Sequence, residues 1–113
     1  MICGSWKDAV ITIATDNDLT PEVNLGREYD TLLVVIPTID SGSVKIQVAE
    51  KTGGTFQGLN LTGSDGTTIE VVSDVGTGGI TWVVPLGGFQ FIKIATSVAQ
   101  TANRTFRVCG IRA

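Results

Sequence analysis

Residues 29–50 read YDTLLVVIPTIDSGSVKIQVAE, and this stretch decides the predicted fold. Its first arm, Leu32 to Ile36, is apolar at every position, whereas its second arm, Val44 to Val48, alternates apolar and polar side chains. Side chains of a β-strand point alternately to its two faces, so the alternation predicts a strand with one buried and one wet face. Because Ile39 to Gly42 between the arms contains turn-forming residues, we predict a β-hairpin that turns there.

Shorter apolar segments of the same kind occur on both sides of this hairpin. Turn signals separate them at intervals of about ten residues, and no apolar pattern of helical spacing extends over a dozen positions. We predict strands at residues 9–13, 55–61, 69–72, 80–84, 89–95 and 105–111, an edge strand or extended loop at 19–25, and a flexible glycine turn at 76–79. The sequence therefore predicts an all-β fold, a single antiparallel β-sandwich of about eight strands with jelly-roll or immunoglobulin-like topology.

The length of the chain limits its domain organisation. Its 113 residues are enough for one domain with its own hydrophobic core. We predict an N-terminal arm at residues 1–7 and the β-sandwich domain at residues 8–113. The first residues lack the basic and apolar regions of a secretory signal, which predicts synthesis in the cytoplasm. No apolar run is long enough to span a membrane, so we expect no membrane partner.

Charge and residue types argue against most kinds of chemistry. A net charge of −3 without a basic cluster predicts no nucleic-acid partner, and the absence of histidine removes the usual base of nucleophilic hydrolysis. The run Asp16-Asn17-Asp18 resembles the start of a calcium loop, but Pro21 stands where that loop needs glycine. The glycines at 76–79 lack the lysine of a phosphate loop. We therefore predict a protein that is not an enzyme, with no catalytic residue, metal or cofactor.

The two cysteines, Cys3 and Cys109, lie near opposite ends of the chain. Adjacent terminal strands could bring them together as a disulfide. The alternative is two free thiols, one of them packed as a small apolar side chain, and this is the expectation for a cytoplasmic product.

Two predicted strands carry apolar side chains on both faces. Leu33 and Val35 point away from the residues that alternate with them in the first arm of the hairpin, and Phe89 and Phe91 do the same in their strand. A sandwich buries only one face of each strand, so either loops or another subunit cover the second face. Trp6 in the arm is either a cap on the sandwich or an anchor inserted into a neighbour. These five residues are the candidate interface.

The segments YDTLLVVIPTIDSGSVKIQVAEKTGGTFQGLN at residues 29–60 and GGFQFIKIATSVAQTANRTFRVCGIR at residues 87–112 follow a familiar order of strands. A strand like LLVVIP is followed by a partner like VKIQVAE, a glycine-rich turn and two closing strands like FIKIATS and RTFRVCGIR. This pattern resembles that of small β-sandwich structural proteins of tailed bacteriophage virions.

The resemblance implies a capsid decoration (cement) protein or a head-tail accessory subunit, made in the host cytoplasm and added to the virion. It implies a homo-oligomer, with a trimer favoured, whose partner is the major capsid protein or another virion protein. The apolar faces would meet sister subunits, and the arm with Trp6 would dock on the capsid. The alternatives are a tail component that contacts the host surface and a carbohydrate-binding sandwich in which Trp6 and Tyr29 stack on sugar rings.

Overall fold

The computed structural model describes residues 2–112, which form ten β-strands. In chain order the strands are β1 Ile2–Cys3, β2 Lys7–Ile11, β3 Val23–Asn24, β4 Thr31–Ala49, β5 Gln57–Gly58, β6 Asn60–Thr62, β7 Thr68–Glu70, β8 Val72–Pro85, β9 Phe91–Thr96 and β10 Arg104–Arg112. None of the described residues belongs to a helix that could cross a membrane.

The two longest strands, β4 and β8, form the frame of the molecule. They pair antiparallel along their length, from Thr31 opposite Pro85 to Lys45 opposite Val72. The register shifts in the middle, because β4 advances four residues from Thr38 while β8 moves only two. Extra residues in one strand of an antiparallel pair bend it and increase its twist. The β4/β8 ribbon therefore bends at its centre and contributes one half to each layer of the sandwich.

Each layer is built around one half of β4. In the first layer, the first half of β4 lies between β10 and the second half of β8, and β10 carries β2 and β1 on its other side. In the second layer, the second half of β4 lies between β9 and the start of β8, with β3 beyond β9 and β5 near the end of β4. Strands β6 and β7 form a separate two-stranded hairpin.

The core lies where the alternating apolar residues of the two layers meet. The first layer contributes buried side chains from β4, β8 and β10, and the second contributes buried side chains from β4 and β9. The largest of them that are almost fully buried include Leu32, Val34, Ile36, Val84, Phe106, Val44, Ile46, Ile92 and Ile94. The prediction of an all-β, antiparallel sandwich is therefore confirmed, and Val44 and Ile46 lie on the buried face that the alternation of their segment predicts.

The predicted hairpin at residues 29–50 is wrong. The chain does not turn back at Ile39 to Gly42 but continues as the single 19-residue strand β4. Ile39 is 3% exposed, so it belongs to the core and not to a solvated turn. The two arms pair with distant strands instead of with each other, and the turn-forming residues between them form the irregular pairing at the bend.

The glycine turn predicted at residues 76–79 is also wrong, for a related reason. These residues lie inside β8, where Gly78 pairs with Thr38 and Gly76 with Gly42. The two predicted turns are thus opposite each other at the bend of the ribbon. Three of the glycines at 76–79 have φ between +57° and +80°, a conformation that is costly for residues with a Cβ. The glycines therefore supply the bend of a continuous strand and not a reversal of the chain.

The segment predicted as an N-terminal arm lies against the first layer where the structure describes it. Ile2–Cys3 pairs with the end of β10, and the Gly4 N–H donates to the Gly110 carbonyl at 2.8 Å. Lys7 already belongs to β2, which also pairs with β10. Met1 lies outside the described residues. Residues 2–7 are therefore attached to the sheet by backbone hydrogen bonds.

Candidate protein interface

The first layer has an apolar surface on the side that faces away from the core. Leu33 and Val35 of β4 lie there, because the residues that alternate with them are buried between the layers. Residues paired across antiparallel strands share a face, so the neighbours of Leu33 and Val35 on β8 and β10 lie on the same surface. We call this surface the outer face; its members are Leu33, Val35, Thr81, Val83, Arg107 and Cys109.

Exposure differs strongly between members of the outer face. Val83 on the edge strand β8 is 65% exposed and Val35 is 37% exposed, whereas Leu33 is half-buried. Cys109 is buried, and its thiol donates to the Gly4 carbonyl with Sγ 3.2 Å from the oxygen. The most accessible apolar area thus lies toward β8, at the opposite side of the layer from β1 and β2.

The charged groups at the rim of the outer face neutralise each other. Arg107 pairs with Asp8 on β2, with Nη1 2.6 Å from Oδ1, and about half of each side chain is exposed. A solvated ion pair of this kind contributes little to stability, but it leaves no net charge beside the apolar residues. The outer face can therefore approach a second surface without burying an unpaired charge.

The outer side of the second layer has a different chemistry. Lys93 of β9 pairs with Gln47 of β4, and the Lys93 ammonium lies 4.6 Å from the centre of the Phe56 ring. Phe91, at the start of β9, pairs with Ala49 and is half-buried. This side is therefore mostly polar, and Phe91 does not continue the apolar surface of Leu33 and Val35.

The outward position predicted for Phe89 is wrong. The turn at Gly87 and Gly88 is followed by two residues outside any strand, so strand alternation starts only at Phe91. Phe89 packs against the buried core instead and is half-buried. Trp6 is 44% exposed in the connection between β1 and β2. Of the predicted residues, the structure thus brings only Leu33 and Val35 together.

Sequence reasoning missed the most exposed member of the outer face, Val83. The run Trp82-Val83-Val84 is apolar on both faces, which is the signal that had identified Leu33 and Val35. Trp82 has the pattern of a core aromatic and packs on the core, but it is only partly buried because β8 is an edge strand. Ile80 on the same side is 44% exposed.

A polar cluster fixes the bend of β4 to the loop before β10. The Asp40 carboxylate accepts hydrogen bonds from the Arg104 guanidinium at 2.9 Å and from the Thr101 N–H at 3.2 Å. The side-chain oxygen of Gln100, which is 4% exposed, accepts from the Asp40 N–H at 2.9 Å. The bond from Arg104 lowers the pKa of Asp40 most, and the Thr101 N–H lowers it further.

This cluster predicts an acid-sensitive contribution to stability. The pKa of Asp40 is lowered in the folded state, so the ionised carboxylate stabilises the fold at any pH above 3.8, the ordinary pKa of the group. This stabilisation is lost as the pH falls through the lowered pKa of the folded state. We expect Asp40→Asn to be less stable than the wild type at neutral pH, by a margin that shrinks below about pH 3.8. Urea unfolding at a series of pH values measures the margin. The same pH-dependent margin in an Arg104→Gln background would contradict the assignment to this pair.

A groove of about 730 Å³ lies between the end of β4 and β5, beside Phe89. Its polar lining consists mainly of Glu50, Lys51, Thr55, Gln57 and Asn60. Tyr29, which was expected to stack on a sugar in the carbohydrate-binding alternative, is 4% exposed and belongs to the core. The described residues therefore offer one half-buried phenylalanine at this groove and no exposed aromatic pair.

Residues 2–112 contain neither a cluster of metal-ligating side chains nor a disulfide. Within this part of the chain no three cysteine or carboxylate side chains are grouped as metal ligands. Cys3 is an exposed free thiol and Cys109 a buried one. Burial raises the pKa of the Cys109 thiol, so this group is protonated at neutral pH and packs as an apolar side chain.

Comparison with known proteins supports the fold. No protein-family model and no curated protein matches the chain. Among solved structures, the SPBc2 prophage-derived protein YomS is similar with a TM-score of 0.55 and 16% identity, over 97% of each chain. A family 32 CBM from C. perfringens NanJ in complex with galactose has a TM-score of 0.43 and 13% identity, over 91% of this chain and 99% of that one. A mutant of chitosan-binding module 1 from a Paenibacillus sp. IK-5 chitosanase/glucanase has a TM-score of 0.46 and 12% identity, over 92% of this chain and 93% of that one. Of these three, YomS is the one whose fold this chain shares throughout.

Proposed function

We propose that this chain is a non-enzymatic structural subunit of a tailed-phage virion, most specifically a capsid decoration subunit that binds the outer surface of the shell. The observation that carries the proposal is the outer face, where Val83 and Val35 are 65% and 37% exposed. Apolar side chains clustered on one side of a small sandwich, beside a neutralised ion pair, are typical of a surface that another protein covers. The similarity to a prophage-derived protein and the resemblance of the strand pattern support the same class of protein.

Such a subunit works through contact and not through chemistry. Binding to the assembled state but not to the dissociated parts stabilises an assembly by mass action, and the effect is repeated at every copy. The outer face would cover a complementary apolar patch on the capsid protein or on a sister subunit. Trp6, which is 44% exposed in the connection between β1 and β2, would supply a separate aromatic anchor on the capsid.

The proposal predicts that a charge on the outer face weakens particle binding. We expect Val35→Lys to weaken binding by about tenfold or more, because a lysine there would be desolvated without a partner. The chain is co-expressed with the genes that neighbour its own, and any particles formed are separated by gradient sedimentation. The matched control is Ile69→Lys, which places the same charge at a 56% exposed position on the β6/β7 hairpin. Equal binding by both variants would contradict the role of the outer face.

Trp6 is tested in the same assay by Trp6→Ala. This change leaves the backbone pairing of β1 and β2 with β10 intact, whereas deletion of the segment would also uncover Cys109. Binding equal to that of the wild type would show that Trp6 is only a cap on the sandwich.

The carbohydrate-binding alternative has one observation in its favour, the groove beside Phe89 with Glu50, Gln57 and Asn60 in its lining. Carboxylate and amide groups next to a ring are common where proteins bind sugars. If the chain does not bind particles but binds a glycan array, and Phe89→Ala removes that binding, the alternative replaces the proposal. A tail position would instead appear as binding to tails and not to heads in the sedimentation experiment.

A further inference from the structure

Strand β8 is an open edge of the sandwich. It pairs with β4 on one side, and no other strand of residues 2–112 pairs with its second side. Alternate residues of an edge strand direct their N–H and C=O groups away from the only neighbour, which leaves them available to another strand. The open edge is long, since β8 has 14 residues.

The two halves of this edge are not equally protected. At Gly76 to Gly79 the bend twists β8, and a bulge of this kind discourages pairing with a further strand. Beyond the bend, Ile80 to Val84 forms a regular ladder with β4 and contains no charge, proline or glycine. Proteins usually protect such edges with lysine, proline or a covering loop. The segment Ile80 to Val84 contains neither lysine nor proline, and the one proline of β8, Pro85, lies at the end of the strand.

The side chains of this segment add apolar area to the open backbone. Ile80 is 44% exposed and Val83 is 65% exposed, on opposite faces of the strand, and Trp82 is half-buried. A partner strand would therefore gain apolar contacts on both faces in addition to backbone hydrogen bonds.

From this edge we infer that two copies of the chain pair antiparallel through Ile80 to Val84, around a two-fold axis perpendicular to the first layer. A second copy supplies what this edge requires, because its own Ile80 to Val84 is an uncharged apolar strand with unpaired backbone groups. Each copy carries a net charge of −3, so copies repel unless they meet at an uncharged surface. The chain from Val75 to Pro85 has no charged residue, and Asp74 lies beyond the bend, so that the two Asp74 carboxylates would sit at opposite ends of the joined strands.

The two-fold arrangement is also self-complementary in side chains. Paired residues of antiparallel strands share a face, so Ile80 and Trp82 of one copy would lie on the same face as Ile80 and Trp82 of the other copy. Val83 would lie beside Thr81 and Val83 of the second copy. The first layers would join into one continuous sheet, with the outer faces of both copies on the same side.

The pairing has a consequence for binding that rests on the proposed function. Two outer faces on one side of a dimer can engage two neighbouring sites on a particle, and bivalent attachment raises the apparent affinity without any new contact. The symmetry is that of a dimer and not of the trimer that the resemblance to decoration proteins implies.

The test uses the purified full-length chain in analytical ultracentrifugation over the micromolar range. We expect a dimer for the wild type, and a dissociation constant raised by about tenfold or more for Ile80→Lys, because lysine at an edge opposes strand pairing. Ile69→Lys adds the same charge away from the edge and should leave the dimer unchanged. Val35→Lys should also remain dimeric, so that failure of dimerisation and failure of particle binding are distinguished.

Hydrogen exchange of the wild type, measured by NMR, gives a second readout that does not require any variant to fold. Alternate amides in Ile80 to Val84 should exchange more slowly at high than at low protein concentration, whereas amides of the β6/β7 hairpin should not. A monomer at the highest soluble concentration, a trimer, or a dimer without this protection would overturn the inference.

Discussion

Replacing Gly78 with alanine is expected to lower the free energy of unfolding by about 2–5 kcal/mol, as the sum of a backbone and a packing effect. Gly78 has a φ of +80°, where a Cβ costs about 1–2 kcal/mol. A Cβ at this position would also collide with the carbonyl oxygen of Pro37 on β4. Relief of the collision requires the β4/β8 ribbon to open at its bend, which adds about 1–3 kcal/mol.

Gly79 is the matched control for this substitution. Its φ of +76° is nearly the same, but a Cβ there would have no atom within 4 Å. Gly79→Ala should therefore show only the backbone effect, about 1–2 kcal/mol. For a chain of this size, a loss of 2–5 kcal/mol corresponds to a fall in Tm of about 8–20 °C, which thermal unfolding followed by circular dichroism measures. Equal losses for the two variants would mean that residues 76–79 form an ordinary turn and not the bend of a continuous strand.

Phe106→Ala is expected to lower the free energy of unfolding by about 3–5 kcal/mol. Phe106 is fully buried in the core on β10, between the two layers. Removal of its ring loses the transfer free energy of the side chain and leaves a cavity that the β-ladders on either side cannot close. A loss of this size is a large share of the 5–15 kcal/mol that is typical of whole domains, so the variant should unfold near physiological temperature.

Phe56→Ala provides the control with the same change in side chain. Phe56 is only half-buried, and the contact found for its ring is with the Lys93 ammonium at 4.6 Å. A cation–π contact contributes about 0.5–1 kcal/mol and partial burial of the ring about 1–2 kcal/mol, so the loss should be clearly smaller than for Phe106→Ala. Chemical denaturation of both variants gives the two free energies. A similar loss for the two would contradict the two-layer core.

The inward faces of the strands were predictable because alternation directly reports burial. Val44 and Ile46 are fully buried, and the polar residues that alternate with them, Lys45 and Gln47, are not, as the pattern of the sequence predicts. The same signals could not predict whether the chain turns back between two apolar segments or continues as one strand. Asp-Ser-Gly and Gly-Thr-Gly-Gly suit turns and bulges equally, since both need residues that tolerate unusual backbone angles. Only the pairing of residues 38–42 with residues 76–78 decides between them.

The candidate interface was predictable in part. The outward positions of Leu33 and Val35 follow from the strand period alone, whereas Phe89 was misplaced because β9 begins two residues after it. The polar cluster at the bend could not be predicted. Asp40 is separated from Gln100 by 60 residues and from Arg104 by 64, and no local pattern specifies contacts over that distance.

The bent ribbon has a consequence for how the protein folds. Both layers share β4 and β8, so neither layer can form as an independent unit while the other stays unfolded. The partners of β4 come from segments far along the chain, and closing such large loops must precede most of the hydrogen bonding. Chains with this distribution of contacts fold on the millisecond to second timescale. The ribbon is therefore the expected nucleus, and the exposed edge of β8 is the part of that nucleus which stays open to a second chain throughout folding.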